Sequence, residues 1–340
     1  MEKESYRSPT YYELSAPPEL DWRPFRGPEY MEYRRQWDER STKREASSFP
    51  LHLDIDPTNR CNLACSMCPR TYYISEGETG WNPEGLAGFM DFAFYEKIIE
   101  EGASKGLKSV KLNFLGEPLL HPRLVEMVAL AASHGLWVMI NTNATLLNKD
   151  NSAALLKAGL TDIFFSFDSP YPEEYEKVRV GARYHNVLAN IKTFMKVKDS
   201  LQKKEVQTRA SMVLPEQTAP ETLETIKKDY TKLFRDLGVA EIGFGLPSVV
   251  GLDYEKAYGL FPGFVCPDLF RRMFIFWDGP VGPCCGDWER RLIMGQAKTE
   301  SLADIWNGPA YQKLRQAHVE GCYEAISACR ICSVPYLSTI

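Results

Sequence analysis

The sequence predicts an α/β protein in which helices cover a parallel sheet, followed by a small unit that a metal must staple. Two observations carry this. From residue 51 onward, short β-branched or aromatic runs alternate with longer segments of helical apolar spacing, giving six strand-then-helix units. Residues from about 262 onward are too few for an independent hydrophobic core, yet they hold six of the nine cysteines.

Residues 1–50 are rich in Pro, Tyr and charge and read as an N-terminal extension packed on the main domain, with a polar helix in "PEYMEYRRQWDERSTKREA" (28–46). The strands follow as "LHLDID" (51–56), "SVKLNFL" (109–115), "LWVMINT" (136–142), "DIFFSFD" (162–168), "VQTRASMVL" (206–214) and "EIGFGL" (241–246). Helices lie between them, as in "FYEKIIEEGASKG" (94–106), "RLVEMVALAASHG" (123–135) and "NVLANIKTFMKVKDSL" (186–201), several stopping at Gly. In such a sheet, reactive groups gather at the C-terminal ends of the strands. Beyond the sheet, "RRMFIFWDGPVGPCCGDWE" (271–289) reads as a hairpin turning at Asp278-Gly279. "SLADIWNGPAYQKLRQAHVEG" (301–321) reads as two short helices broken at Gly308-Pro309. The expected organisation is an extension over 1–50, a main domain over 51–261 and a small domain over 262–340, with no internal repeat.

A net charge of −5 gives no basic stripe for a nucleic acid. Apolar runs such as "GLWVMI" (135–140) are too short to span a bilayer, and "MEKESYRSPTYYEL" has no secretion-signal core. The expected location is cytoplasmic, with no membrane or nucleic-acid partner. In that reducing compartment, cysteines serve as metal ligands or reactive thiols rather than disulfides. Their distribution agrees: Cys61, Cys65 and Cys68 crowd together, and none follows for almost 200 residues until Cys266.

The first three lie on the loop after the first strand. A closed zinc site wants four ligands, and no fourth Cys or His is near in sequence. A [4Fe–4S] cluster, ordinarily held by four thiolates, would here keep one iron open to bind and activate another molecule. CxxxCxxC in this position resembles the signature of the radical S-adenosylmethionine superfamily. "NFLGEPLLHP" (113–122) is similar to that family's Gly-Glu-Pro element, "NTNATLL" (141–147) to its ribose-binding Thr-Asn segment, and "FSFDS" (165–169) to its Ser-x-Asp. Each stands at a predicted strand end, in the family's order. Met67 fills a slot that is often aromatic in the family, and Leu115 one where many members have a second Gly.

The resemblance implies a partial (β/α)6 TIM-type barrel. Cys61, Cys65 and Cys68 would hold a cluster that binds S-adenosylmethionine, with Gly116, Glu117, Pro118, Asn143, Ser166 and Asp168 binding that cofactor. One electron, from a donor such as flavodoxin or ferredoxin, would release a 5′-deoxyadenosyl radical that abstracts hydrogen from a small-molecule substrate. The C-terminal spacing resembles the SPASM/Twitch region, the shorter Twitch form in particular, in which Cys266, Cys284, Cys329 and Cys332 would hold a second [4Fe–4S] cluster; zinc on the same four thiolates is the alternative. Cys285 would serve as a hydrogen-atom donor or pack as a free thiol, while Cys322 is structural or an alternative ligand. Ser166, Asp168, Arg209 and Asp287 are candidates for a polar cavity, and the five histidines receive no role.

Four functions follow. The leading one is oxidation of a carbinol of a sugar or aminocyclitol to a ketone, the second cluster accepting an electron. The others are epimerisation through Cys285, peptide maturation, and a non-catalytic zinc-stapled binding protein.

Overall fold

The computed structural model describes residues 11–71, 88–215, 218–245, 264–330 and 332. Six strands run parallel in sequence order: β2 (His52–Ile55), β3 (Ser109–Leu112), β4 (Trp137–Thr142), β5 (Asp162–Ser166), β6 (Gln207–Val213) and β7 (Glu241–Gly245). Each coincides with a predicted run to within a few residues. Helices Phe92–Ser104, Leu124–Ser133, Lys149–Ala158, Tyr184–Ser200 and Pro220–Asp236 alternate with them. The fold is a partial α/β barrel. Leu246 and the expected boundary between residues 261 and 262 lie outside the described residues. Among the described residues, no helix is long and apolar enough to cross a membrane.

Strand alternation divides the residues between two environments. Leu53, Ile55, Val110, Leu112, Val138, Ile140, Ile163 and Phe165 are wholly or nearly wholly buried beneath the helices. Their neighbours face the barrel interior, which is polar. The first residue of each of these six strands, His52, Ser109, Trp137, Asp162, Gln207 and Glu241, lines the cavity at the N-terminal end of the barrel.

The N-terminal extension closes that end of the barrel. Helix Gly27–Lys43 buries Tyr30 and Tyr33, three residues apart on one face. The Tyr33 hydroxyl is 2.8 Å from Ser109 Oγ, and Trp22 Nε1 donates to Glu241 at 3.1 Å. The Arg26 guanidinium lies 3.1 Å from the Asp162 carboxylate and against the rings of Trp22, Tyr30 and Trp137. The expected helix is therefore present. The sequence reading did not include β1 (Tyr11–Leu14), which pairs antiparallel with β7 and covers that edge of the sheet.

At the other edge, β8 (Arg272–Ile275) adds parallel to β2 and pairs antiparallel with β9 (Pro280–Gly282), which pairs with β10 (Gly295–Gln296). The predicted hairpin is thus built onto the barrel sheet. Its turn is at Asp278-Gly279, where Gly279 takes φ +113°. The two predicted helices are Leu302–Asn307 and Pro309–Val319. The first is anchored by Glu101, which accepts from the Leu302 and Ala303 amides, and by Trp306 Nε1 donating to Ser47 O at 2.8 Å.

Candidate functional site

The loop after β2 is sewn to the segment after helix Pro172–Val178 by two backbone bonds. Ala64 N–H donates to Val180 O (2.9 Å) and Ser66 N–H to Val178 O (3.0 Å). This brings Cys61, Cys65 and Cys68 to the wall of one cavity of about 320 Å³ at the C-terminal ends of the strands. Leu63, Met67, Phe114 and Leu115 give it an apolar wall, and Asn113, Glu117, Asn141, Asn143, Ser166 and Arg179 a polar one. The Gly116 backbone completes the contact between two loops. A Cβ there would stand 1.9 Å from Thr58 O, and the next residue's N–H donates to Arg60 O at 2.8 Å.

Glu117, 2% exposed, ties three strand ends together. Its carboxylate accepts from the Thr142 hydroxyl and the Asn143 amide, each at 2.7 Å, and from the Leu119 amide at 3.1 Å. Burial pushes its carboxyl up to about 7 against the pull of these donors. Asn143 reaches the cysteine loop, donating to Asn62 Oδ1 at 3.0 Å and lying 3.9 Å from Cys61 Sγ. Pro118 is buried at the start of a short turn and does not line the cavity.

Of the four side chains expected in a polar cavity, only Ser166 lines this one. Asp168 is 4% exposed and fully engaged, accepting from Val213 N–H (2.7 Å) and pairing with Arg179. Arg209 belongs to the opposite end of the barrel, its guanidinium 3.5 Å from the centre of the Phe164 ring. Asp287 caps its own loop, accepting from the Arg291 and Leu292 amides.

Arg179 is the residue that sequence reasoning missed. Held by Asp168, it lies 3.7 Å from Cys65 Sγ and lines the cavity. Burial opposes its charge, but Asp168 and Cys65 hold it well above the usual arginine range. Burial pushes the Cys65 thiol up to about 11 against the pull of Arg179, and raises Cys61 as well.

The four cysteines that the resemblance groups lie together. Cys266, Cys284, Cys329 and Cys332 line one pocket with Phe264, Leu269, Leu292, Leu314 and Tyr323. A Cβ on Gly286 would lie 3.8 Å from both Cys284 Sγ and Cys332 Sγ, so those thiols flank one point. Burial lifts Cys266 and Cys284 well above the usual thiol range. His318 shares this pocket, and burial pushes its imidazole down to about 4. Cys322 is exposed and lines neither cavity.

Cys285, beside Cys284, is exposed to solvent, and the charges of Arg272, Asp268, Asp54 and Lys111 are near enough to act on its thiol. Arg272 Nε donates to Asp54 at 2.6 Å within the barrel. Further along β2, Asp56 is 1% exposed and neither carboxyl oxygen has a hydrogen-bond partner; the Trp277 and Thr58 amides approach without closing a bond. Burial pushes it up to about 7 despite the nearby Arg290 charge.

These donors fit iron–sulfur groups. Thiolates are soft ligands suited to iron–sulfur clusters, and three of them line the first cavity while four line the C-terminal pocket. The first cavity also fits a ligand bearing N–H or O–H groups. Asn113 Oδ1 and Asn141 Oδ1 are buried on its wall without partners, a cost that such a donor would remove.

Comparison with known proteins agrees. Residues 55–229 match the family model described as Radical SAM superfamily, and residues 266–333 match that of an iron-sulfur cluster-binding domain, SPASM. A tungsten-containing aldehyde ferredoxin oxidoreductase cofactor-modifying protein of Pyrococcus furiosus is 27% identical over 329 residues, covering 83% of this chain and 87% of its own. The structure of BtrN in complex with AdoMet and 2-DOIA superposes with a TM-score of 0.52 at 18% identity, covering 86% of this chain and 98% of its own. Streptococcus suis SuiB bound to S-adenosylmethionine gives 0.57 at 18% identity, covering 84% and 72%. At that identity the two structures speak to the fold alone.

Proposed function

The chain belongs to the radical SAM superfamily, and from that premise we propose that it oxidises a carbinol of a hydroxylated small molecule, of sugar or aminocyclitol type, to a ketone. When bound, a [4Fe–4S] cluster and S-adenosylmethionine supply hydrogen-atom abstraction from an unactivated C–H bond. Cys61, Cys65 and Cys68 would hold that cluster. Arg179, a buried cation on the cavity wall, suits the cofactor's carboxylate, and Asn113 and Asn141 suit its donor groups. Met67, Phe114 and Leu115 exclude water from the same space.

The observation that carries the oxidation is the second thiol set. Four thiols around one apolar pocket leave no place for substrate, which suits that site to taking an electron. The balance is then complete: the substrate carbon loses a hydrogen atom, its hydroxyl loses a proton, and the remaining electron goes to the C-terminal site. Asp56, a buried carboxyl just past β2 whose burial pushes it up to about 7, is this chain's candidate for the proton.

A second reading, epimerisation, is favoured by Cys285, an exposed thiol next to the proposed ligand Cys284. The test is product analysis of the reduced enzyme with a panel of sugars, aminocyclitols, 2-DOIA and cofactor fragments, the last because the Pyrococcus relative is named for modifying a cofactor. Oxidation gives a product two hydrogens lighter, which persists in Cys285→Ala. A product of unchanged mass in H2O that gains one deuteron in D2O, and is lost in Cys285→Ala, would overturn oxidation in favour of epimerisation.

A further inference from the structure

His318 is the one histidine on the wall of the four-thiol pocket. It sits on the last turn of helix Pro309–Val319 and is 2% exposed. Its ring stacks on Tyr323 at 5.1 Å and 8°, and the edge of Phe264 packs against it at 6.4 Å and 71°. These contacts fix the plane of the ring, so its two nitrogens have fixed targets. The Cys266 backbone N–H donates to Nδ1 at 3.4 Å. A ring nitrogen that accepts a hydrogen bond carries no proton, so the proton of the neutral imidazole is on Nε2. Nε2 lies 3.4 Å from Cys329 Sγ.

One imidazole thus bridges the backbone of one proposed ligand and the sulfur of another, with its N–H aimed at the sulfur. The surrounding pocket is otherwise apolar, where a donor acts with little screening. We propose that His318 donates an Nε2–H hydrogen bond to the Cys329 thiolate and thereby raises the reduction potential of the iron–sulfur cluster that the four thiols hold. Reduction adds negative charge to the cluster and its sulfurs, and a fixed donor stabilises the more negative state. A site whose use is to take an electron is made a better acceptor by that bond. The inference rests on these thiols holding a cluster, but not on which substrate is oxidised.

The experiment is an EPR-monitored redox titration of the full-length chain carrying Cys61/Cys65/Cys68→Ala, so that only the C-terminal cluster contributes. His318→Phe keeps an aromatic ring but removes the donor, while His318→Gln keeps an N–H. The expected result is an unchanged iron content in both, a midpoint shifted to more negative potential in His318→Phe, and recovery of much of that shift in His318→Gln. In the parent, pulsed EPR should show weak coupling to an imidazole nitrogen and to one exchangeable proton, both lost in His318→Phe. An unchanged midpoint in an iron-loaded His318→Phe protein overturns the proposal. So does loss of iron from both variants, or a nitrogen coupling strong enough to mark direct ligation. A parent without iron overturns the cluster assignment itself, and this inference with it.

Discussion

Gly116→Ala isolates the junction on which the proposed S-adenosylmethionine site depends. The added methyl would stand 1.9 Å from Thr58 O, 2.7 Å from Arg60 O and 2.8 Å from the Thr58 carbonyl carbon. All three are backbone atoms, so no rotamer relieves the clash. With normal contacts at about 3.5 Å, the loop after β3 must retreat from the loop after β2 by more than about 1 Å. That retreat breaks the 2.8 Å bond from Glu117 N–H to Arg60 O. Overpacking costs about 1–3 kcal/mol and the lost bond about 1 kcal/mol. A total of about 2–4 kcal/mol corresponds to roughly 30- to 700-fold in the equilibrium between apposed and separated loops. The strain is confined to these loops, so the barrel should stay folded. Calorimetric titration of the reconstituted protein with S-adenosylmethionine should show binding weakened by at least about 30-fold, with the C-terminal cluster retained. A variant that binds within about threefold of wild type, with its iron intact, would refute the apposition of these loops as the basis of the site.

Three further outcomes follow from buried charges. Asp56 is raised to about 7 in the folded state from a usual 3.8, so its contribution to stability is complete below pH ~4 and is lost as pH rises towards ~7. Asp56→Asn should remove that decline, on the order of 4 kcal/mol across the window; urea midpoints that track wild type at every pH would contradict it. Arg179→Gln leaves Asp168 buried without its partner and should lower stability by about 3–5 kcal/mol, while adding Asp168→Asn should restore part of the loss; equal stability of the single and double variants would show that the pair is not coupled. Arg26→Met should cost a similar ~3–5 kcal/mol through the uncompensated Asp162, and an unchanged thermal midpoint would show that the N-terminal plug does not stabilise the barrel.

Much of this was legible because strand periodicity and the position of a motif after a strand are local properties. The parallel strands fall on the quoted runs, and the four motif-bearing strand ends share one cavity because a parallel sheet brings C-terminal ends together. The C-terminal thiols were grouped by resemblance to the SPASM/Twitch region, since spacing by itself did not decide between Cys322 and the other cysteines. What escaped depended on contacts between distant segments. Arg179 lies in an unremarkable "VRV", and its role becomes visible only once Val178 and Val180 are bonded to the cysteine loop. Nothing in "AHVEG" distinguishes His318 until helix Pro309–Val319 turns it into the thiol pocket. Strand β1 is only four residues long and exists by pairing with β7, more than 200 residues away. Asp168 was chosen from the Ser-x-Asp resemblance, and Arg209 and Asp287 as polar candidates outside any matched motif. The structure commits Asp168 and Asp287 to backbone amides, which acidic side chains accept as readily as they bind ligands, and sends Arg209 to the far end of the barrel.

The central claim is that two separate thiol sets each hold an iron–sulfur cluster. It is tested most directly by counting iron, sulfide and zinc after anaerobic reconstitution of wild type, Cys61/Cys65/Cys68→Ala and Cys266/Cys284→Ala. The prediction is about eight irons in wild type and about four in each variant, with matching sulfide. About four irons in wild type falling to none in the first variant, with zinc retained at the C-terminal thiols, would contradict it and remove the electron acceptor on which the proposed oxidation depends.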